Sequence, residues 1–406
     1  MEARKQKITE AKNSTPLFGQ WIGKFKGDSP VSGSPTFVFP GNATFNIEFD
    51  RPNRGFACID QGNKIHGSRK DFDLQITGDR FSGHATLTSA FDWNTNEIIS
   101  VEESIRRQKL QGIIVDFFYL TELEIHDGFI DQQTLTCKWS GSHLGNKITG
   151  KFEGHKLSQR ELTSPDELMS WERFKLFVAE IIQAGRELYF RGQSSNIQRL
   201  NTSFHRERRY DLLRYDNEAC VKLEQHINAT SSRQYDRNNP SDFGPLLSLA
   251  QYHGFPTPLL DWSKSPYIAA FFALENRPTE AAAGDNPRVY VFDAMTWQQD
   301  TTQAYHIADP RPVITPREFT AHNNPRHLPQ QSVHTYTNIE DLEAWIRLVE
   351  REKKRRYLTI IDIPCSERAF AMRDLEYMGV TAATLFPGLD GICRSLKDRF
   401  FPPISI

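Results

Sequence analysis

The alternation of apolar and polar residues in the first 155 positions constrains this chain most. Ala43-Thr-Phe-Asn-Ile-Glu-Phe, Phe72-Asp-Leu-Gln-Ile-Thr and Phe81-Ser-Gly-His-Ala-Thr-Leu each send every second side chain to one face of a strand. Stretches from Phe18, Ile113, Leu135 and Ile148 continue the texture, and turn residues such as Gly78-Asp79 separate the runs. About eight short strands of this kind predict an all-β barrel or sandwich with one buried face over residues 15–155. The opening Trp21-Ile-Gly-Lys-Phe-Lys-Gly and the closing Ile148-Thr-Gly-Lys-Phe-Glu-Gly look alike, as first and last strands of a barrel would. The unit closes without residues beyond it, so it is expected to fold alone.

A chain of 406 residues is too long for one typical core, which gives two or three domains. Hydrophobic content of 38% and charged content of 25% are those of a soluble globular protein. No apolar run approaches the ~20 residues a bilayer span needs. The N-terminal Met1-Glu-Ala-Arg-Lys-Gln-Lys lacks the apolar core of a signal peptide. The expectation is a cytoplasmic protein with no membrane partner and a frayed segment over residues 1–14. Cys58, Cys137, Cys220, Cys365 and Cys393 are scattered and form no Cys-x-x-Cys pair, which excludes a zinc ribbon and points to reduced thiols. No metal site is read from the sequence. A net charge of -2 exerts no global pull on nucleic acid. His66, His84, His126, His143 and His155 lie apart and read as surface or turn residues, although a barrel mouth is a common place for a small ligand.

Residues 156–166 form a polar linker. Ser164-Pro165-Asp166-Glu167 has the features of a helix start, and Leu168, Trp171, Phe174, Val178 and Ile181 recur at helical spacing up to Gly185. Beyond it the pattern alternates strands near 188–190, 288–293 and 357–364 with helices near 207–229, 243–253, 267–275, 340–355 and 369–378. Residues 167–406 therefore read as an α+β domain.

Two stretches of that domain ask for more than packing. Leu188-Tyr-Phe-Arg-Gly-Gln193 delivers a fixed charge at Arg191 beside Gly192, where the backbone turns or lies close to something. In Leu249-Ala-Gln-Tyr-His-Gly-Phe-Pro-Thr-Pro-Leu-Leu-Asp-Trp-Ser263 a helix stops at Gly254, prolines enforce an extended segment, and Asp261 and Trp262 arrive beside an apolar run. The convergence expected is Arg191, Asp261, Ser263 and Gln330 as reacting groups. Phe190, Gly192, Gln193, Gln251, His253, Trp262 and Ser265 would surround them. Against this stand plainer readings: Arg191 paired with Asp261, Trp262 in the core, Asp293 as a helix cap and Asp390 in a turn. His205, Arg206, Arg208, Arg209 and the run Arg351-Glu-Lys-Lys-Arg-Arg356 are basic clusters, either solvated faces or phosphate holders.

Residues from about 170 to 400 resemble the FRG domain family through Phe190-Arg191-Gly192, the block 249–263 with Ser265, Pro266, Ala269, Ala270 and Phe272, and Thr384-Leu-Phe-Pro-Gly-Leu-Asp-Gly. The family's usual Gln-His-Tyr-Gly stands here as Gln251-Tyr252-His253-Gly254. A further similarity, to ADP-ribosyltransferases, rests on Arg191-Gly192 and Ser263-Lys264-Ser265. It implies an ADP-ribosyltransferase-like fold, NAD as the bound nucleotide, and ADP-ribose transfer or NAD glycohydrolysis, with a protein or nucleic-acid acceptor. Those enzymes finish with a catalytic glutamate; the corresponding segment here presents Gln330 and Gln331, which leaves Glu218, Asp261 and Asp390 as carboxylate candidates. The alternatives are a nucleotide- or nucleic-acid-binding module without catalysis, and a protein-interaction effector with the β domain as sensor. Chains joining an FRG domain to a variable partner resemble bacterial defence or stress effectors.

Overall fold

The computed structural model describes residues 18–29, 37–60, 66–92, 97–110, 122–131, 133–143, 146–157, 163–275, 284–320 and 324–401. The strand expected from Ile113 and the segment 1–14 lie outside them. In the N-terminal half, β1 (Gly19–Ser29), β2 (Phe37–Ile47), β3 (Arg54–Asp60), β4 (His66–Thr77), β5 (Arg80–Asp92), β7 (Glu122–Ile130), β8 (Thr134–His143) and β9 (Asn146–His155) pair antiparallel. Because β4 also pairs with β5, the order β4-β3-β2-β1-β9-β8-β7-β5 closes into an eight-stranded barrel. The short β6 (Glu97–Ile99) adds to β5 and leads into a helix, Val101–Leu110.

The likeness between the opening and closing strands is a pairing. β1 and β9 run antiparallel with Phe25 opposite Phe152, Gly23 opposite Gly154 and Gly27 opposite Gly150. Inward-facing Trp21, Phe45, Phe72, Phe81, Trp139 and Phe152 fill the barrel. Phe25 stacks on Trp139 with centroids 4.8 Å apart, as Phe45 does on Phe72. A small barrel filled by its own side chains is a core. His84, His126 and His155 lie on its surface against Glu124, Ser140 and Glu153.

The C-terminal half is a seven-stranded sheet between helices. Its strands are β10 (Glu167–Leu168), β11 (Tyr189–Gln193), β12 (Leu259–Ser263), β13 (Arg288–Phe292), β14 (Ile314–Arg317), β15 (Ser332–Thr337) and β16 (Leu358–Asp362), in the order β10-β16-β13-β11-β12-β15-β14. Only the β10–β16 pair is parallel. On one face Phe190, Val289, Val291 and Ile361 pack against Trp171, Phe174, Ala269, Ala273 and Leu375. On the other, Leu260, Trp262, Tyr290, Phe292 and Ile360 meet Trp297, Leu342 and Ile346.

The helix expected from Ser164 starts later, at Trp171, capped by the Ser170 hydroxyl. Tertiary contacts override the local signal there. The Asp166 carboxylate accepts from the Ile360 amide at 2.8 Å, and Glu167 and Leu168 add a strand to β16. The expected helix 207–229 begins only at Leu212 and continues as a π-helix over Tyr215–Cys220 into Val221–Thr230. Residues 207–211 are withheld because they dock the barrel. Glu48 of β2's exit, 5% exposed, accepts from the amides of Tyr210 (2.9 Å) and Asp211 (3.1 Å), from Arg209 Nε (3.1 Å) and from Arg214 Nη1 (2.8 Å). Arg69 forks onto both oxygens of Asp211 at 2.8 and 2.7 Å. Gln20 donates to the Asn338 carbonyl and accepts from the Glu340 amide. No described helix is long and apolar enough to cross a membrane.

His205 is buried beside this seam, its Nδ1 2.7 Å from Thr202 Oγ1. Burial pushes its pKa down from 6.5 to about 3. Below pH 6.5 the unfolded chain therefore takes up a proton that the folded chain refuses. The stability His205 contributes is complete above pH 6.5 and lost as the pH falls toward 3. Chemical denaturation from pH 7 to pH 5 should show stability falling, by about 1.4 kcal/mol per unit for each such proton. A flat profile would contradict a neutral buried imidazole.

Candidate functional site

β11 and β12 are neighbours at the middle of the sheet yet pair at one position, Phe190 with Ser263. Beyond it the strands part, and the Arg191 side chain spans the opening, Nη1 donating to the Asp261 carbonyl at 2.6 Å. Arg191 Nε is buried without a partner. Burial pulls the guanidinium's pKa down; the Asp261 carboxylate opposes this and Arg206 adds to it. The plainer reading, an ion pair of Arg191 with the Asp261 carboxylate, gives way to this bond to the main chain. The opening is the floor of a cleft of about 960 Å³.

Gly192 answers the question its motif raised. A Cβ there would lie 1.9 Å from the Ala269 carbonyl oxygen and 2.6 Å from the Ala273 nitrogen. The strand lies directly on the Pro266–Glu275 helix, through Ala269 and Ala273, and helix backbone cannot retreat. Gly192→Ala is expected to cost about 3 kcal/mol in a denaturant titration; a wild-type midpoint would refute the close approach.

Asp261 stands directly opposite His334 in the β12–β15 ladder, so their side chains share a face. His334 Nε2 lies 3.4 Å from Asp261 Oδ1 and 3.3 Å from Ser248 Oγ. These three groups are no relay: both oxygens meet the same ring nitrogen, and the buried Nδ1 has no partner. A hydrolytic triad needs one partner on each nitrogen. Burial lowers the His334 pKa against the pull of Asp261, which favours the neutral ring. Gln251, one helical turn after Ser248, donates Nε2 to Asp261 Oδ1 at 2.6 Å, and its Oε1 accepts from Thr257 Oγ1. The Asp261 side chain nevertheless remains 55% exposed toward the cleft.

The other expected residues divide. Phe190, Gly192, Gln193, Gln251, Ser263 and Gln330 line the cleft with Arg191 and Asp261. Ser263, however, spends its hydroxyl on the Gln330 carbonyl (2.8 Å) and accepts from the Ser265 amide (3.0 Å). Gln330 stands in the turn before β15 and not on the strand; Gln331, with φ 48°, completes that turn. Gln330 donates its amide to the Leu385 carbonyl at 3.0 Å. Trp262 borders the cleft, but its indole is core, stacked on Phe292 at 5.4 Å and donating to Thr335 Oγ1 at 3.0 Å. Ser265 caps the next helix by accepting from the Ile268 amide. His253 is exposed at the C-cap of the Pro240–Tyr252 helix, ahead of Gly254 at φ 86°, and it is Tyr252 that faces the cleft. Of the carboxylate candidates only Asp261 is present. Glu218 is bound to Arg214 at 3.0 Å, and Asp390 lies in the first turn of the Leu389–Phe400 helix rather than in a turn. Asp293 caps a helix by accepting from the Thr296 amide.

His334, Ser248, Arg326 and Phe386 also line the cleft and were not singled out from sequence as site residues, whereas Arg206, which lines it too, belongs to a basic cluster read there as a solvated face or a phosphate holder. The Arg326 guanidinium lies over the rings of Tyr252 (4.5 Å) and Phe386 (4.9 Å). Arg206 donates to the Asn201 carbonyl. Among the described residues, Arg191, Arg206 and Arg326 have no carboxylate oxygen within 4.0 Å. The cleft thus carries three cations not engaged in ion pairs, aromatic faces and one exposed carboxylate. Ser332 and His334 share a face of β15, a period-two signal that marks His334 only once its partner strand is known.

Residues 186–282 match the family model of the FRG domain, which places that domain in the C-terminal half of the chain. No curated protein matches. The crystal structure of Rv2717c from M. tuberculosis is similar over 34% of this chain and 93% of its own, at 11% identity and a TM-score of 0.19.

Proposed function

We propose that the cleft of the FRG domain binds a pyrophosphate-bearing nucleotide, NAD first among them, with Arg191 on the phosphates and Asp261 toward the ribose. Arg191 carries the reading. A guanidinium fork whose Nε is buried and unpartnered, and whose charge meets no carboxylate within 4.0 Å, is set to receive an oxyanion. Arg206 and Arg326 add charge around it, and half-buried Tyr252 offers an aromatic face. The pairing of β11 with β12 at Phe190 and Ser263, which sets Arg191-Gly192 beside the start of Ser263-Lys264-Ser265, is what an ADP-ribosyltransferase-like arrangement calls for.

The chemistry that follows is cleavage of the nicotinamide–ribose bond. Its electron pair leaves with nicotinamide, and water or an acceptor nucleophile bonds to the anomeric carbon and releases a proton. Asp261 supplies the negative charge facing that carbon, the part Gln330 cannot play. Gln251, held by Thr257, fixes the carboxylate. A role in bacterial defence or stress, exerted on cytoplasmic NAD, belongs to the same reading.

The test is NAD titration by calorimetry together with nicotinamide release, on wild type and Asp261→Asn. NAD affinity is expected to change less than tenfold, while release falls by roughly 10²–10³. NAD bound without any release would leave a binding module, and absence of NAD binding would overturn the assignment.

A further inference from the structure

We propose that a second, basic cavity beside the cleft takes the phosphates of a single-stranded nucleic acid; joint occupancy with the cleft rests on the nucleotide reading above. The cavity, about 470 Å³, is lined by Arg199, Arg347, Arg351, Lys354, Arg355 and Arg356. It is where the basic run after the Leu342–Lys353 helix comes to lie. Arg199 lines both cavities, so they adjoin at that residue.

Glu350, the acid that lines this cavity, and Asp166, Asp341 and Asp300 beside it are already engaged, while exposed Glu352 is not among its lining residues. Glu350 accepts from the amides of Tyr357 (2.7 Å) and Leu358 (2.8 Å) and from Arg347 (2.8 Å). Asp166 accepts from the Ile360 amide, from Arg347 at 2.8 Å and from Arg356. Asp341 caps a helix at the Ala344 amide and holds Arg199 at 3.0 Å. Arg355 meets Asp300 at 3.0 Å. Arg351 and Lys354 have no carboxylate oxygen within 4.0 Å among the described residues, and both are exposed. Lys354, at φ 53°, turns the chain so that residues 354–356 border the cavity.

Two cationic cavities sharing one arginine suit a ligand with phosphates in series. A polynucleotide has them, and its bases find stacking faces at Tyr252 and the Arg326 guanidinium beside it. A protein partner is disfavoured because the second cavity's lining offers no aromatic or large aliphatic anchor, only Thr163 and Ala344 beside the charges.

The experiment is fluorescence anisotropy of the full chain with a fluorescein-labelled single-stranded oligonucleotide over a range of salt, with NAD calorimetry in parallel. Arg351→Glu/Lys354→Glu should weaken oligonucleotide binding at least tenfold, flatten its salt dependence and leave NAD affinity unchanged. Arg191→Lys keeps the charge a polynucleotide senses but loses the fork a pyrophosphate needs, so it should weaken NAD at least tenfold and the oligonucleotide by less. Oligonucleotide binding by a wild type that binds no NAD would sink the nucleotide reading of the cleft and leave the second cavity standing. No salt-dependent oligonucleotide binding, or equal binding by the double variant, would overturn the proposal. So would poly-glutamate binding with the same affinity and the same dependence on Arg351.

Discussion

Glu48→Ala is expected to destabilise the whole chain by about 3–5 kcal/mol, although Glu48 belongs to the barrel half and does not line the cleft. The carboxylate satisfies two backbone amides and two guanidinium groups of the other domain while only 5% exposed. Truncation strands the two amides and takes one of their carboxylates from the two guanidinium groups. Asp50 lies 2.9 Å from Arg209 and 3.0 Å from Arg214, so it retains part of the charge pairing but reaches neither amide. Asp73→Asn, at an exposed barrel ion pair, is the control and should change stability by less than about 0.5 kcal/mol. The measurement is a denaturant titration followed by tryptophan fluorescence and by circular dichroism. Wild type should unfold with coincident transitions, and Glu48→Ala should separate them or move both down together. An unshifted midpoint would show that Glu48 does not hold the two halves together, and would leave that to the Arg69–Asp211 fork and the Gln20 bonds.

Arg191→Lys is expected to lose about 1.5–3 kcal/mol of NAD affinity, the worth of a hydrogen bond to a charged group, and to melt like wild type. Lysine keeps the charge and loses the fork. Stability should survive because the wild-type guanidinium has a single bond, to the Asp261 carbonyl, and already buries an unpartnered Nε. Had Arg191 been half of an ion pair with the Asp261 carboxylate, the same substitution would have cost folding energy instead. Calorimetry and a thermal melt on one preparation separate the two. Unchanged affinity with a lowered melting temperature would take Arg191 out of the binding site and make it a brace between β11 and β12.

What residues 15–155 must become was written in their alternation. A period of two with every second residue large and apolar permits a closed barrel filled by aromatics, and the echo of Trp21–Gly27 in Ile148–Gly154 marked two strands that pair. Phe190-Arg191-Gly192 and Asp261 were equally legible, because a charge beside a glycine in an apolar strand has no packing reason to exist. Other features belonged to the tertiary structure alone. The start of the helix at Ser170 rather than Ser164 was decided by Asp166 and the edge of β16, long-range partners that outweigh a local capping signal. The residues 207–211, helical by pattern, were claimed by Glu48. His334 became a neighbour of Asp261 only through the β12–β15 register, and Arg191 met the Asp261 carbonyl only because β11 and β12 part after one pair. Periodicity states which face a side chain takes; which strand lies beside it is settled by packing of the whole sheet, and the site is made of those adjacencies.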